Sequence, residues 1–74
     1  MIKELLKVEN LMNTYYDADM DEYTLEFQKD GKSYLIKVDA EEHEAAKDDE
    51  YYFDNENVIA DILKDIREED IEIK

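Results

Sequence analysis

Residues 23–29 and 32–38 both alternate apolar and polar positions, and the dipeptide Asp30-Gly31 lies between them. Alternation with a period of two is typical of half-buried strands, and Asp-Gly between two such runs indicates a two-residue hairpin turn. The turn predicts three facing apolar pairs on one side of the hairpin: Tyr23 with Val38, Leu25 with Ile36, and Phe27 with Tyr34. The other side is polar except for Leu35. A slip of one residue would turn one strand's apolar set toward water, so pattern and turn predict the same register.

Two further segments have apolar residues three and four positions apart, which is typical of amphipathic helices. The first predicted helix covers residues 2–13, and its stripe comprises Ile2, Leu5, Leu6, Met12 and Tyr16. The second runs from Asp54 to about Glu69, with Asp54 or Asn57 as its N-cap. Its core stripe comprises Ile59, Ile62, Leu63 and Ile66.

A short acidic helix is predicted over residues 40–47, because Asp39 followed by Glu42 resembles a capping box. Its apolar content is confined to alanines, so we expect the aromatic run at residues 51–53 to anchor it. Residues 71–73 alternate and form either a third strand on the hairpin or a frayed tail. Together these elements predict a small α+β fold, with residues 1–74 as a single domain.

The charge of the chain indicates more about its partners than any sequence motif does. The chain of 74 residues has a net charge of −14 and no cysteine. Within residues 39–56, nine carboxylates accompany a single base, Lys47. Such a surface repels nucleic acid and anionic lipid and attracts basic proteins or cations. With no apolar run of about 20 residues, we expect a soluble, intracellular protein that contacts neither membrane nor nucleic acid directly.

Asp17, Asp19 and Asp21 have the spacing of the first three ligands of a calcium loop. The rest of that motif is missing, since Glu22 replaces the turn glycine and Gln28 replaces the bidentate glutamate. These aspartates are therefore weak metal candidates, and a solvated loop is the favoured interpretation. No nucleophile–base pair or glycine-rich phosphate loop is present, so we expect neither enzymatic activity nor a cofactor.

Adjacent tyrosines occur twice, at residues 15–16 and 51–52. Neighbours on a strand or helix face different directions, so at least one tyrosine of each pair should be partly exposed. An exposed tyrosine on an acidic surface is either an interface anchor or part of the rim of a thin core. His43 lies among three glutamates and is interpreted as an exposed helix residue.

With its acidic segment punctuated by aromatic residues, between Asp39 and Asp54, and a helix–hairpin–helix frame, the chain resembles the small DNA-mimic proteins of phages and mobile elements. It is most similar to the type II anti-CRISPR inhibitors, in size, charge and element order. The resemblance implies a non-enzymatic inhibitor of a basic DNA-binding protein, such as an RNA-guided CRISPR nuclease or a restriction enzyme.

The leading hypothesis is therefore a DNA mimic that binds the basic nucleic-acid groove of such a protein. The predicted partner-binding residues are Asp39, Glu41, Glu42, Glu44, Asp48, Asp49, Glu50, Tyr51, Tyr52, Asp54 and Glu56. Two alternatives remain open. One is a domain that binds divalent cations, and the other is an acidic accessory subunit that docks on a basic protein unrelated to DNA.

Overall fold

The computed structural model describes residues 6–74 and has an α+β fold. Its regular elements are β1 (Leu11–Asp17), β2 (Glu22–Lys29), β3 (Lys32–Asp39), α1 (Glu56–Asp65) and β4 (Glu72–Ile73). Short 3-10 helices cover Val8–Asn10, Ala40–Lys47, Tyr52–Asp54 and Glu68–Asp70. The four strands form one antiparallel sheet in the order β1-β2-β3-β4. No helix within this part of the chain is long and apolar enough to cross a membrane.

The predicted hairpin is confirmed in position and register. All three apolar pairs lie opposite each other, and Lys29 faces Lys32 across the turn. Asp30 and Gly31 have φ angles of +53° and +80°. Positive φ at both central residues is the requirement of a type I′ turn, which Asp-Gly satisfies at little steric cost.

The predicted N-terminal helix is wrong within the described residues. Leu11–Asp17 is a strand that pairs with the free side of β2, and only Val8–Asn10 has helical character, as a single 3-10 turn. Residues 2–5 of that prediction lie outside the described residues. Thr14, Tyr15 and Tyr16 favour strands, and the hydrogen bonds offered by β2 decide the conformation.

The second helix is shorter than predicted and has a different cap. It begins at Glu56, and the side chain of Asn55, rather than Asp54 or Asn57, accepts the cap hydrogen bond from the Asn57 backbone N–H at 2.9 Å. It ends at Asp65, so the acidic run Glu68–Asp70 forms a separate 3-10 turn. These three carboxylates therefore lie outside the helix, whereas Asp65 remains in its last turn, where the helix dipole disfavours an anion.

The core lies between the apolar face of the hairpin and α1. It includes five of the six predicted hairpin residues together with Ile59, Ile62 and Leu63, while Leu6, Ala40, Phe53 and Ile71 close its edges. Val38 and Ile66, which were also predicted to face the core, are half-buried and pack against it. The predicted third strand is confirmed at its end, because Glu72 and Ile73 pair with β3. The chain that connects β3 to α1 must therefore cross the edge of this core, and that connection carries the acidic segment.

Candidate binding surface

The acidic ridge, defined here as residues 39–56, leaves β3 and returns to α1. Each of its nine carboxylate residues is exposed: Asp39, Glu41, Glu42, Glu44, Asp48, Asp49, Glu50, Asp54 and Glu56. Ion pairs among residues 6–74 join Lys47 to Asp21 and Arg67 to Glu69, and neither involves a ridge carboxylate. The predicted anionic residues are thus all placed where a partner can reach them.

The ridge starts as a 3-10 helix rather than the predicted α-helix. The Asp39 side chain accepts a hydrogen bond from the Glu41 backbone N–H at 3.0 Å, so the predicted cap is present, although its partner is Glu41. His43 has φ −133° and ψ 44°, which interrupts the helix. Since the segment has few apolar residues to bury, no continuous amphipathic face favours the longer α-helix.

Two contacts attach the ends of the ridge to β2 and to the turn that precedes it. Ala40 is fully buried, and its backbone N–H donates to the Asp21 carbonyl at 3.0 Å. At the other end Phe53 is buried with its ring 5.1 Å from that of Tyr23, in an edge-on arrangement. These contacts hold both ends of an otherwise exposed segment against β2.

A third attachment links the two 3-10 helices of the ridge to each other. The Nδ1 atom of His43 and the Tyr52 hydroxyl lie 3.0 Å apart, within hydrogen-bond distance. His43 is half-buried rather than exposed, so its predicted environment was wrong. Its ring also lies 6.0 Å from that of Phe53. The single histidine therefore joins the start of the ridge to its aromatic anchor.

The two tyrosines of the ridge have different environments. Tyr52 packs against the core and bonds His43, whereas Tyr51 is 66% exposed. The Asp49 side chain accepts a hydrogen bond from the Tyr51 backbone N–H at 2.9 Å, which fixes the local turn. Tyr52 and Phe53 thus form the anchor, and Tyr51 is left free to contact a partner.

Lys47, the only base of the ridge, is directed toward the sheet. Its Nζ lies 3.5 Å from Asp21 Oδ1 and 5.8 Å from the centre of the Tyr16 ring. The Tyr16 hydroxyl donates to the same carboxylate oxygen at 2.7 Å. This hydrogen bond, followed by the nearby Lys47 charge, lowers the pKa of Asp21, while the Asp21 charge raises the pKa of Lys47. The ridge's only positive charge is thus largely offset by a carboxylate outside the ridge.

The anionic surface extends further than the sequence suggested. An open groove of about 400 Å³ separates β3 and the start of the ridge from α1. Its lining includes Lys37 and His43 and five acidic residues from the ridge, α1 and the 3-10 turn after it: Asp39, Glu42, Asp61, Asp65 and Asp70. The last three were not among the predicted binding residues. Asp61 and Asp65 lie four residues apart on α1, a spacing that puts both on one helix face, and this was the signal available for finding them.

The weak calcium candidates are occupied by other interactions. The Asp17 side chain accepts hydrogen bonds from the backbone N–H groups of Asp19 and Met20, at 3.0 and 3.3 Å. Asp21 binds Tyr16 and Lys47 as described. Across residues 6–74, no group of three histidine, cysteine or acidic side chains is arranged to hold a metal ion. The three aspartates instead shape the turn between β1 and β2.

The sheet face opposite the core carries a second cluster of polar groups. Asn13 and Tyr15 donate to Glu26 Oε1 at 2.9 and 3.1 Å, which lowers the pKa of that carboxyl, with Asn13 as the larger cause. The hydrogen bond to Glu26 raises the pKa of Tyr15 in turn. These side chains tie β1 to β2 and leave an open surface groove bordered by Tyr15, Leu35 and Lys74.

Comparisons with protein-family models, with curated proteins and with solved structures gave no match.

Proposed function

We propose that this protein is a non-enzymatic DNA mimic that binds the basic nucleic-acid groove of a DNA-binding protein or nuclease. The observation that carries the proposal is that nine carboxylate residues are exposed on one segment that is anchored at both ends. An ordered array of anions can match fixed lysine and arginine positions, whereas a disordered acidic tail would first have to lose its conformational freedom.

The charge of the protein over its length is of the same order as that of duplex DNA. The Cα positions extend 31 × 24 × 21 Å, and the chain carries a net charge of −14. Duplex DNA has about 18 phosphate charges over the same length, at one charge per 1.7 Å of axis. The nine carboxylates of the ridge could therefore replace part of the phosphate contacts made by a groove that binds about one turn of duplex.

The neighbouring groups support an interface with a cationic partner. Lys47 is paired with Asp21, so it does not offset the ridge toward an incoming protein. Tyr51 lies among the carboxylates as an exposed aromatic ring, suited to stack on an arginine or to occupy the position of a base. Asp61, Asp65 and Asp70 continue the anionic surface across the groove to α1.

In this proposal the target is a host defence nuclease, either RNA-guided or of the restriction type, and the protein acts in the bacterial cytoplasm. The carboxylates contact its lysine and arginine side chains, so association is fast and weakens as salt rises. DNA and the inhibitor compete for one groove. No chemistry is performed on either.

The test begins with capture of partners from bacterial lysate on the immobilised protein, at low and high salt. A captured protein is then titrated with the inhibitor in the presence of duplex DNA. We expect mutually exclusive binding. A partner that binds both at once would refute mimicry. A basic partner with no affinity for DNA would point to the accessory-subunit alternative instead.

A matched pair of triple variants tests whether binding depends on the ridge carboxylates or only on the net charge of the chain. D48N/D49N/E50Q removes three negative charges from the ridge, whereas E9Q/D30N/E72Q removes three from other surfaces. We expect the ridge variant to weaken binding at least about tenfold, since each phosphate-like contact contributes separately to affinity. The control variant E9Q/D30N/E72Q should change the affinity for the partner much less. Equal losses would show that only the net charge matters and that the ridge has no special role.

The cation alternative is tested by calorimetry with calcium. Asp17 and Asp21 already accept hydrogen bonds from the chain, so we expect weak, diffuse uptake without a defined stoichiometry. Tight binding of one ion per chain would favour that alternative.

A further inference from the structure

Strand β1 forms one edge of the sheet and carries a single acidic residue, Asp17 at its C-terminal end. Residues 10–16 form the longest uncharged run of a sequence in which 43% of residues are charged. On its inner side β1 pairs with β2, and among residues 6–74 no strand pairs with its outer side. The opposite edge of the sheet is partly covered, because β4 pairs with Tyr34 and Leu35 of β3.

This edge also exposes large apolar side chains. Met12, Tyr15 and Tyr16 are 56%, 52% and 48% exposed, and all three lie on β1. Along a strand, alternate residues direct their N–H and C=O groups to the outer side, where they can accept another strand. Edge strands are usually protected by lysine, proline or inward-pointing charge. Among residues 6–74, such protection of β1 is limited to the irregularity between Leu11 and Asn13 and to the charge of Asp17 at the end of the strand.

We propose that β1 pairs in antiparallel fashion with β1 of a second copy, so that the two sheets join into one. The uncharged run is the place where two chains of charge −14 can approach most closely without facing carboxylates. Pairing that uses all seven residues of β1 puts the two-fold axis at Thr14. Tyr15 then lies opposite Asn13 of the second copy, and Tyr16 lies opposite its Met12.

The same register separates the acidic ends of the strands. Asp17 lies opposite Leu11 of the second copy, so the two Asp17 residues are six positions apart along the pair, or about 20 Å. That distance exceeds the Debye length of about 8 Å at physiological ionic strength. A parallel arrangement would instead place like charges side by side. The antiparallel pair is thus favoured by both charge and overlap.

A pair of single strands buries a small interface, so we expect a weak, concentration-dependent dimer. Its salt dependence is distinctive. Screening reduces the repulsion between two anionic chains, so salt strengthens the dimer. Binding of the acidic ridge to a basic partner is weakened by the same salt. The two interactions use different surfaces, and either can fail without the other.

The first experiment is sedimentation of the full chain up to about 1 mM, a range suited to weak contacts, in low salt and in about 0.5 M sodium chloride. We expect a dimer that increases with concentration and salt. T14E places two like charges at the two-fold axis and should weaken association at least about tenfold. Q28E adds the same charge on β2, away from the edge, and should match the unmodified protein within about twofold once global repulsion is screened.

The second experiment uses the absence of cysteine from the chain. Residues facing each other across an antiparallel pair have Cα atoms about 4.5–5.5 Å apart, which a disulfide can span. Under oxidising conditions T14C should therefore cross-link to itself, faster than N13C or Y15C. Q28C serves as the exposed control that should cross-link slowly. A maximum at residue 13 or 15 would support the pairing with a shifted axis.

The inference is overturned if the protein remains monomeric at all concentrations and salt levels and T14C cross-links no faster than Q28C. In that case β1 would not be a contact between two copies.

Discussion

The β2–β3 hairpin and the acidic ridge are consecutive in the chain, and they are stabilised in opposite ways. The hairpin buries Tyr23, Leu25, Phe27, Tyr34 and Ile36 on one continuous face. The ridge, of similar length, buries only Ala40 and Phe53. Its order depends on a few separate contacts at its ends, and nearly all its remaining side chains face water. A surface can thus be densely charged and still held in place when its anchors lie at the boundaries of a well-packed element.

The largest predicted effect is on the hairpin side of this comparison. Leu25 is fully buried on the central strand β2, between β1 and β3. Leu25→Ala should destabilise the protein by about 2–5 kcal/mol, because it removes buried methyl groups and leaves a cavity. The total free energy of unfolding of a domain of this size is about 4–11 kcal/mol, so this single substitution removes a large part of the stability. Urea denaturation followed by circular dichroism measures the loss.

Leu35→Ala is the matched control for this variant, since it removes the same atoms from the other, half-buried face of the hairpin. We expect less than half the effect. Equal losses would mean that both faces of the sheet contribute equally to stability, and the contrast between hairpin and ridge would need a different explanation.

Phe53→Ala tests the ridge side of the comparison. Its ring contacts Tyr23 and Tyr52, with centroids 5.1 and 5.0 Å away. We expect the free energy of unfolding to fall by less than the roughly 3–5 kcal/mol that is typical of a buried phenylalanine. The reason is that the exposed segment around residue 53 can relax into the cavity that the ring leaves. Amide hydrogen exchange should increase across residues 41–52 while β2 and β3 remain protected. Tyr51→Ala, at an exposed neighbouring position, should leave both regions unchanged.

Uniform loss of protection after Phe53→Ala would show that ridge and hairpin unfold as one unit. The ridge would then belong to the cooperative core, although few of its side chains are buried.

The hairpin was predictable because its information is local. Alternation defines both faces, and Asp30-Gly31 fixes the register, so facing pairs such as Phe27 with Tyr34 follow from the sequence alone. Strand β1 was not predictable in the same way. Spacing of three and four residues suggested a helix, while the hydrogen bonds that make it a strand come from β2, as in the pairing of Asn13 with Glu26. Only the strand-forming residues Thr14–Tyr16 indicated otherwise.

For the candidate site, sequence reasoning found the charges but not their arrangement. The exposed positions of the ridge carboxylates follow from a segment too polar to be buried. The inward direction of Lys47 depends on Asp21, which is distant in sequence, and so was not foreseeable. Similarly, Asp61 and Asp65 are exposed residues of α1 that were not among the predicted binding residues. Their approach to Asp39 and Glu42 results from the packing of α1, which no local pattern encodes.

A smaller effect is expected at the junction where the ridge joins α1. Asn55 caps the helix through its bond to the Asn57 backbone N–H. Asn55→Ala should cost about 1 kcal/mol by leaving a helix N–H unsatisfied. Asn57→Ala is the control, because it changes an exposed side chain and leaves that N–H in place. A neutral Asn55→Ala would show that the cap contributes nothing to holding the end of the ridge. Urea denaturation distinguishes the two variants.

The smallest effect concerns the attachment of the ridge through Asp21. Its pKa is lowered first by the Tyr16 hydroxyl, so Tyr16→Phe should raise it toward the ordinary value of 3.8. Because the folded-state pKa is depressed, the stabilising contribution is fully present above the unfolded-state pKa and is lost as pH falls through the folded-state value. The pKa of Lys47 is raised, so its contribution is present below 10.5 and is lost as pH rises further. The contribution of the Asp21–Lys47 pair to stability should therefore be constant from about pH 5 to 9, and decrease outside that range.

Carbon-13 NMR titration of the Asp21 carboxyl measures the change in its pKa that Tyr16→Phe causes. Tyr15→Phe is the control, since Tyr15 bonds Glu26 and should leave Asp21 unaffected. If Tyr16→Phe leaves the titration of Asp21 unchanged, the hydrogen bond is not what holds this carboxylate in its charged form, and the Lys47 charge must be the main cause of its lowered pKa.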